Sequence, residues 1–171
     1  MTVLSDTTLY QYIRDHKMIE PFNVSQLNPS SYDLQIGTTA QYESAEGDMR
    51  PLDMTQYSKE EPLKCGPGTF LLASSLETFN LPENICAFVK LKSSRGREGW
   101  DHLMAGWCDP GWHGSVLTME LKNVRQFKNL PFYSGLLMVQ MVFLFVDKPP
   151  SKLYHGSYNN HTTVHGSVHE A

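Results

Sequence analysis

The order of hydrophobic and polar positions divides this chain into a short helical start and a long β remainder. Leu4, Ser5, Leu9 and Ile13 predict an N-terminal helix, with Ser5 as N-cap, Leu4 packed against Leu9, and an end near His16 or Lys17. No later segment keeps a 3.6-residue period. Apolar runs instead predict strands at 32–36, 69–74, 85–91, 115–122 and 136–146, separated by the turns CGPG, NLPEN, DPGW and YSG. Many short strands with close turns predict an all-β sandwich, jelly roll or barrel in one domain, with residues from about 151 as an arm or tail.

Two polar residues stand out against this pattern. Gln140 is the only one inside LLMVQMVFLFV and reads as a hydrogen-bonded core amide. In SVLTMELK, Leu117, Met119 and Leu121 share one face and Thr118, Glu120 and Lys122 the other. A carboxylate such as Glu120 ordinarily faces water. A functional Glu120 requires that the rest of the chain build a site around it.

Composition narrows the possibilities. The 171 residues suffice for one core without disulfide staples, burying roughly 70% of the unfolded surface. Net charge is −4, with 14 Lys and Arg against 18 Asp and Glu and no basic run, so nucleic-acid binding is not expected, although a local cluster can still hold an anionic small molecule. No apolar leader region or long apolar stretch is present, which predicts a soluble, cytoplasmic protein without membrane contact. Cys65, Cys86 and Cys108 form neither a CxxC nor a paired His/Cys motif, so no disulfide framework or zinc site is expected. His161, His165 and His169 recur every four residues, but Thr162, Thr163, Val164 and Gly166 argue against the helix that would align them as metal ligands.

The densest candidate chemistry is KSSRGR. Lys92, Ser93, Ser94, Arg95, Gly96 and Arg97 put hydroxyls and cations on one short turn, a plausible phosphate cradle; the ordinary alternative is a solvated basic turn.

The motifs EPFN, PSSYDLQIG, LETFNLPENICAFVKLKSSRGR, AGWCDPGW, TMELKN and LPFYSGLLMVQ, in this order, resemble the dCTP deaminase branch of the dUTPase superfamily from about Leu4 to about Tyr158. The resemblance implies a distorted β-barrel or jelly roll assembled as a homotrimer, with sites at subunit interfaces and a deoxycytidine triphosphate bound with magnesium. It implies that Ser93, Ser94 and Arg97 contact phosphate and arrange the attacking water, with Lys92 beside them. It places Ala105 of His102-Leu103-Met104-Ala105 beside the base, Asp109 near the sugar, Thr118 and Met119 around the nucleotide, and Tyr154, Tyr158 and His161 over the phosphates. Glu120 matches the family's catalytic glutamate. One carboxylate can take the protons of the water attacking C4 of cytosine in turn, delivering one to the ring and one to the departing ammonia. Zinc deaminases use HxE and PCxxC motifs instead, and neither occurs here.

The chain departs from the family pattern at several positions. Lys92 replaces an Arg, losing its planar fork. The loop from Arg97 to His102 is short, Met104 replaces a Thr, and Ser157 and His161 occupy the expected Lys and Gln positions, with Lys152 near enough to compensate. One additional residue between Asp109 and Glu120 requires a β-bulge, placed in GSVL. The main expectation is a dCTP deaminase forming dUTP and ammonia. Alternatives are a bifunctional enzyme forming dUMP, favoured by AGW before Cys108, a variant acting on a modified or less phosphorylated nucleotide, and a non-catalytic nucleotide sensor.

Overall fold

The computed structural model describes residues 2–103 and 105–168, so Met104 and His169 lie outside the described residues. The first helix, α1 (Asp6–His16), runs as expected and buries Leu9 and Ile13. Its N-cap is Ser5, but the Ser5 hydroxyl meets the hydroxyls of Thr7 and Thr8 instead of a backbone N–H. Lys17 closes the helix in the left-handed region. Leu4 and Leu9 are both buried in the core.

Thirteen strands follow one another along the described residues. They are β1 (Thr2–Val3), β2 (Ile19–Glu20), β3 (Leu27–Asn28), β4 (Ser31–Glu43), β5 (Met49–Asp53), β6 (Leu63–Cys65) and β7 (Phe70–Asn80). The remainder are β8 (Ile85–Leu91), β9 (Trp100–His102), β10 (Trp107–Cys108), β11 (His113–Asn123), β12 (Leu130–Phe132) and β13 (Leu137–Phe145). Eleven of them form one curled sheet whose main path is β10-β8-β13-β4-β7-β11-β9. Strands β6 and β12 pair separately.

Strand β4 makes the sheet curl. Its first half pairs with β13 and its second half with β5 and β7, so the chain turns a corner between Ile36 and Ala40. Gly37 sits at that corner, where a Cβ would come within 2.4 Å of the Ser75 carbonyl oxygen, an approach only glycine permits. Inside the curl, Tyr32, Ile36, Phe79, Trp100, Met119, Phe132 and Phe143 form one hydrophobic cluster with residues from α1.

The 85–91 strand matches its expected limits, while β4, β7 and β11 extend beyond theirs. KSSRGR is not an open turn: Ser93–Glu98 form a short helix, α2, ended by Gly99 with φ of 112°. Gln140 Oε1 accepts a hydrogen bond from the Ser31 hydroxyl at 3.2 Å, but the side chain is half-buried and not part of the core as expected. No helix among the described residues is long and apolar enough to cross a membrane.

Candidate active site

The alternation expected along β11 is present. Ser115, Leu117, Met119 and Leu121 are buried, whereas Val116, Thr118 and Glu120 are half-buried on the opposite face. The register reaches this arrangement through the expected bulge: His113 pairs with Asn80 and Ser115 with Phe79, so Gly114 of GSVL is an extra residue on β11. A second irregularity lies on β7, where Val116 pairs with Thr78 and Thr118 with Ser74. There the Leu117 N–H donates to the Ser75 hydroxyl at 2.8 Å.

Val116, Thr118 and Glu120 form one wall of a cavity of about 530 Å³. Leu72 and Phe70 of β7 and Gln41 of β4 line it nearby, and Ala105, Trp107, Cys108 and Asp109 come from the segment around β10. The tail completes it with Tyr154, Tyr158, His161 and His165. Residues 151–168 contain no strand or helix and fold back across β11. Trp112 Nε1 donates to the Tyr158 carbonyl, Val116 N–H to the His161 carbonyl, and His165 N–H to the Thr118 hydroxyl. The His161 and His165 rings meet edge to face with centroids 4.3 Å apart. In this conformation His161 Nε2 donates to the Ser157 carbonyl at 2.6 Å.

Glu120 differs from its neighbours on this wall. Its Oε2 is buried and has no hydrogen-bond partner. Beside it is His102 at the end of β9, whose Nε2 is likewise buried and unpartnered, 3.6 Å away. Pairing of β9 with β11 at Leu121↔His102, extended by a bond from Leu103 N–H to the Glu120 carbonyl, holds the two side chains in register. Desolvation pushes the Glu120 carboxyl above the usual carboxylate range, and the same burial lowers the His102 imidazole. A carboxyl with a raised pKa, reachable from a cavity and with one buried oxygen left unpaired, is suited to move protons.

The structure therefore brings Ala105, Asp109, Thr118, Glu120, Tyr154, Tyr158 and His161 to one cavity. Lys92, Ser93, Ser94 and Arg97 do not line it. Lys92 pairs with the buried Asp33, which also accepts from Asn28 Nδ2, so this cation is committed to a carboxylate of its own chain. Ser93, Ser94 and Arg97 lie on α2, which leads through Gly99 into β9. Met119 points its side chain into the core and is fully buried, because alternation places it opposite Thr118 and Glu120. Sequence reasoning did not single out His102 as a site side chain. Its only signal was membership of the segment that includes Ala105, and pairing across β9 and β11 cannot be read from either strand alone.

The curled sheet resembles the crystal structure of a 2'-deoxycytidine 5'-triphosphate deaminase from Agrobacterium tumefaciens with a TM-score of 0.67. That match has 20% identity and covers 82% of this chain, which spans 47% of the longer relative. The dCTP deaminase-like family model matches residues 3–146, and the chain belongs to this family. A curated relative from Hydrogenobaculum, a dCTP deaminase, dUMP-forming, is 41% identical over 153 residues, covering 87% of this chain and 85% of the relative. A dCTP deaminase from Pyrococcus horikoshii is 33% identical over 152 residues, covering 89% and 90%.

Proposed function

We propose that this chain deaminates the cytosine base of dCTP and goes on to release dUMP. The observation that carries the deaminase reading is the desolvated Glu120 carboxyl, its buried Oε2 unpaired, on the wall of a nucleotide-sized cavity. Water attacks C4 and Glu120 passes its first proton to ring N3; Glu120 then carries the proton of the new C4 hydroxyl to the amino group, so that C4–N breaks, C4=O forms and ammonia leaves. The ionised form of Glu120 is the base, so its raised pKa makes it a stronger proton acceptor than an ordinary carboxylate.

The product assignment departs from the dUTP-forming expectation. It is supported by the more similar of the two curated relatives, which is dUMP-forming, and by the AGW tripeptide before Cys108. Hydrolysis of the α–β phosphate link consumes a second water, so dCTP and two waters yield dUMP, pyrophosphate and ammonia. Among the described residues no group of three or more His, Cys, Asp or Glu forms a metal site. Magnesium is proposed to arrive with the substrate phosphates and to neutralise their charge.

The phosphate-binding set supports a homotrimer. Ser93, Ser94 and Arg97 do not line their own chain's cavity, so a neighbouring copy is proposed to present its α2 to the cavity that holds Glu120. The test is incubation of the purified protein with magnesium and dCTP, chromatography of the nucleotides, and a pyrophosphate assay, beside Glu120→Gln. The reading expects dUMP and pyrophosphate in equal amounts, lost in the variant. Accumulation of dUTP without pyrophosphate returns the product assignment to the monofunctional form; no turnover of dCTP overturns the deaminase reading.

A further inference from the structure

The deamination scheme gives Glu120 two oxygens and a proton to manage, and does not say what keeps that proton on the oxygen facing the substrate. His102 is the buried group beside this carboxylate that the scheme leaves unused. It is 5% exposed, its Nε2 has no partner, and 3.6 Å separates it from Glu120 Oε2, which also has none. At that distance no hydrogen bond is made, but rotating either side chain by a few tenths of an ångström at its tip closes the gap. Two buried polar atoms left unpaired side by side are a standing penalty that a bond between them removes. Catalytic hydrogen bonds are often long in the free enzyme and tighten on the substrate complex.

We propose that His102 is the positioning residue of Glu120: its neutral Nε2–H donates to Oε2 and leaves Oε1 as the oxygen that works on the substrate. The first proton taken from water then resides on Oε1, because Oε2 is already occupied as an acceptor, and leaves from Oε1 to ring N3; the proton of the resulting C4 hydroxyl follows by the same oxygen to the amino group, which departs as ammonia. No proton passes through the imidazole, so His102 holds its Nε2–H before and after turnover. Burial favours this neutral imidazole. The ionisable groups around the pair are Asp101 on β9, whose charge opposes the effect of burial on His102, Cys108 on β10, whose buried thiol is pushed up to about 12, and Asp109, His161 and His165 on the cavity.

This inference rests on the deaminase reading for its kinetic arm and on geometry alone for its spectroscopic arm. In His102→Phe, which keeps the ring volume and removes the donor, kcat for deamination is expected to fall about 10-fold or more with KM changed less than about twofold. The acid limb of the kcat profile is expected to move to higher pH, because a lost donor no longer stabilises the carboxylate. His102→Gln, whose amide nitrogen can reach the same place, is expected to restore most of kcat and the original limb. In the wild-type protein without substrate, ring 15N shifts are expected to report the Nε2–H tautomer, and the Glu120 carboxyl 13C shift to change in His102→Phe. A His102→Phe enzyme with unchanged kcat and acid limb overturns the proposal, as does a wild-type Nδ1–H tautomer. Should the Phe variant not fold, the wild-type tautomer and the activity of His102→Gln decide. Absence of turnover in the wild type would overturn the deaminase reading instead, and the tautomer measurement would still judge the pairing.

Discussion

At the scale of single residues, the chemistry is concentrated where burial and hydrogen bonding disagree. Glu77 is 1% exposed and raised by burial, yet it accepts from Gln26 Nε2 and the Gln35 N–H, so its role is to hold the corner of β4. Glu120 is raised by the same cause, and its buried Oε2 has no partner at all. A carboxyl whose folded pKa lies above its unfolded value favours folding at low pH, and that contribution is lost as pH rises through the folded pKa. Glu120→Gln is therefore expected to melt at a higher temperature than the wild type at pH 8, with the difference disappearing towards pH 4; scanning calorimetry across that range checks it. The same variant is expected to lose about 100-fold or more of its deaminase activity, because amide nitrogen and oxygen cannot accept the water's proton. Glu120 was legible in the sequence because an acidic residue interrupted an alternating strand within recognisable flanking motifs. His102 was not, because its importance comes from a neighbour eighteen positions away that reaches it through the pairing of β9 with β11.

At the scale of elements, legibility followed apolar length. Strand β8 was read to its ends because ICAFVKL is apolar and bounded by turn residues, whereas β5 (MRPLD) is largely exposed and contains a proline, and β6 and β12 have three residues each. Helix α2 was missed because six residues centred on a glycine carry no periodic signal. One element-level feature has a clear energetic basis. Asn123 at the end of β11 is fully buried, its Nδ2 donates to the carbonyls of Cys65 and Lys128, and its Oδ1 accepts from the Arg125 N–H. Asn123→Ala is expected to cost about 2 kcal/mol in denaturant unfolding, since the buried Cys65 carbonyl and two partly buried backbone groups lose their partner. The tail is a second such feature. Its described residues form no strand or helix but cover the cavity through Tyr154, Tyr158 and His161. A chain ending at Pro150 is expected to keep its fold, shown by circular dichroism, while KM for dCTP rises about 10-fold or more.

At the scale of the whole molecule, the curled sheet was readable as an all-β class, but the relation between its two chemical groups was not. KSSRGR and TMEL are only about two dozen positions apart in sequence, yet α2 stays out of the cavity that β11 lines. Nothing in the spacing of these motifs distinguishes a site built within one chain from one built between copies. Mixing inactive variants separates the two cases. In the proposed homotrimer, Arg97→Ala and Glu120→Gln should each abolish turnover. When the two are unfolded and refolded together in equal amounts, a cavity regains both native groups if its Glu120 comes from the first variant and the adjoining Arg97 from the second. For random assembly of a closed trimer that combination arises at roughly one site in four, so about a quarter of wild-type activity is expected to return. Sites formed within single chains would give none, because every chain in the mixture carries one of the two defects.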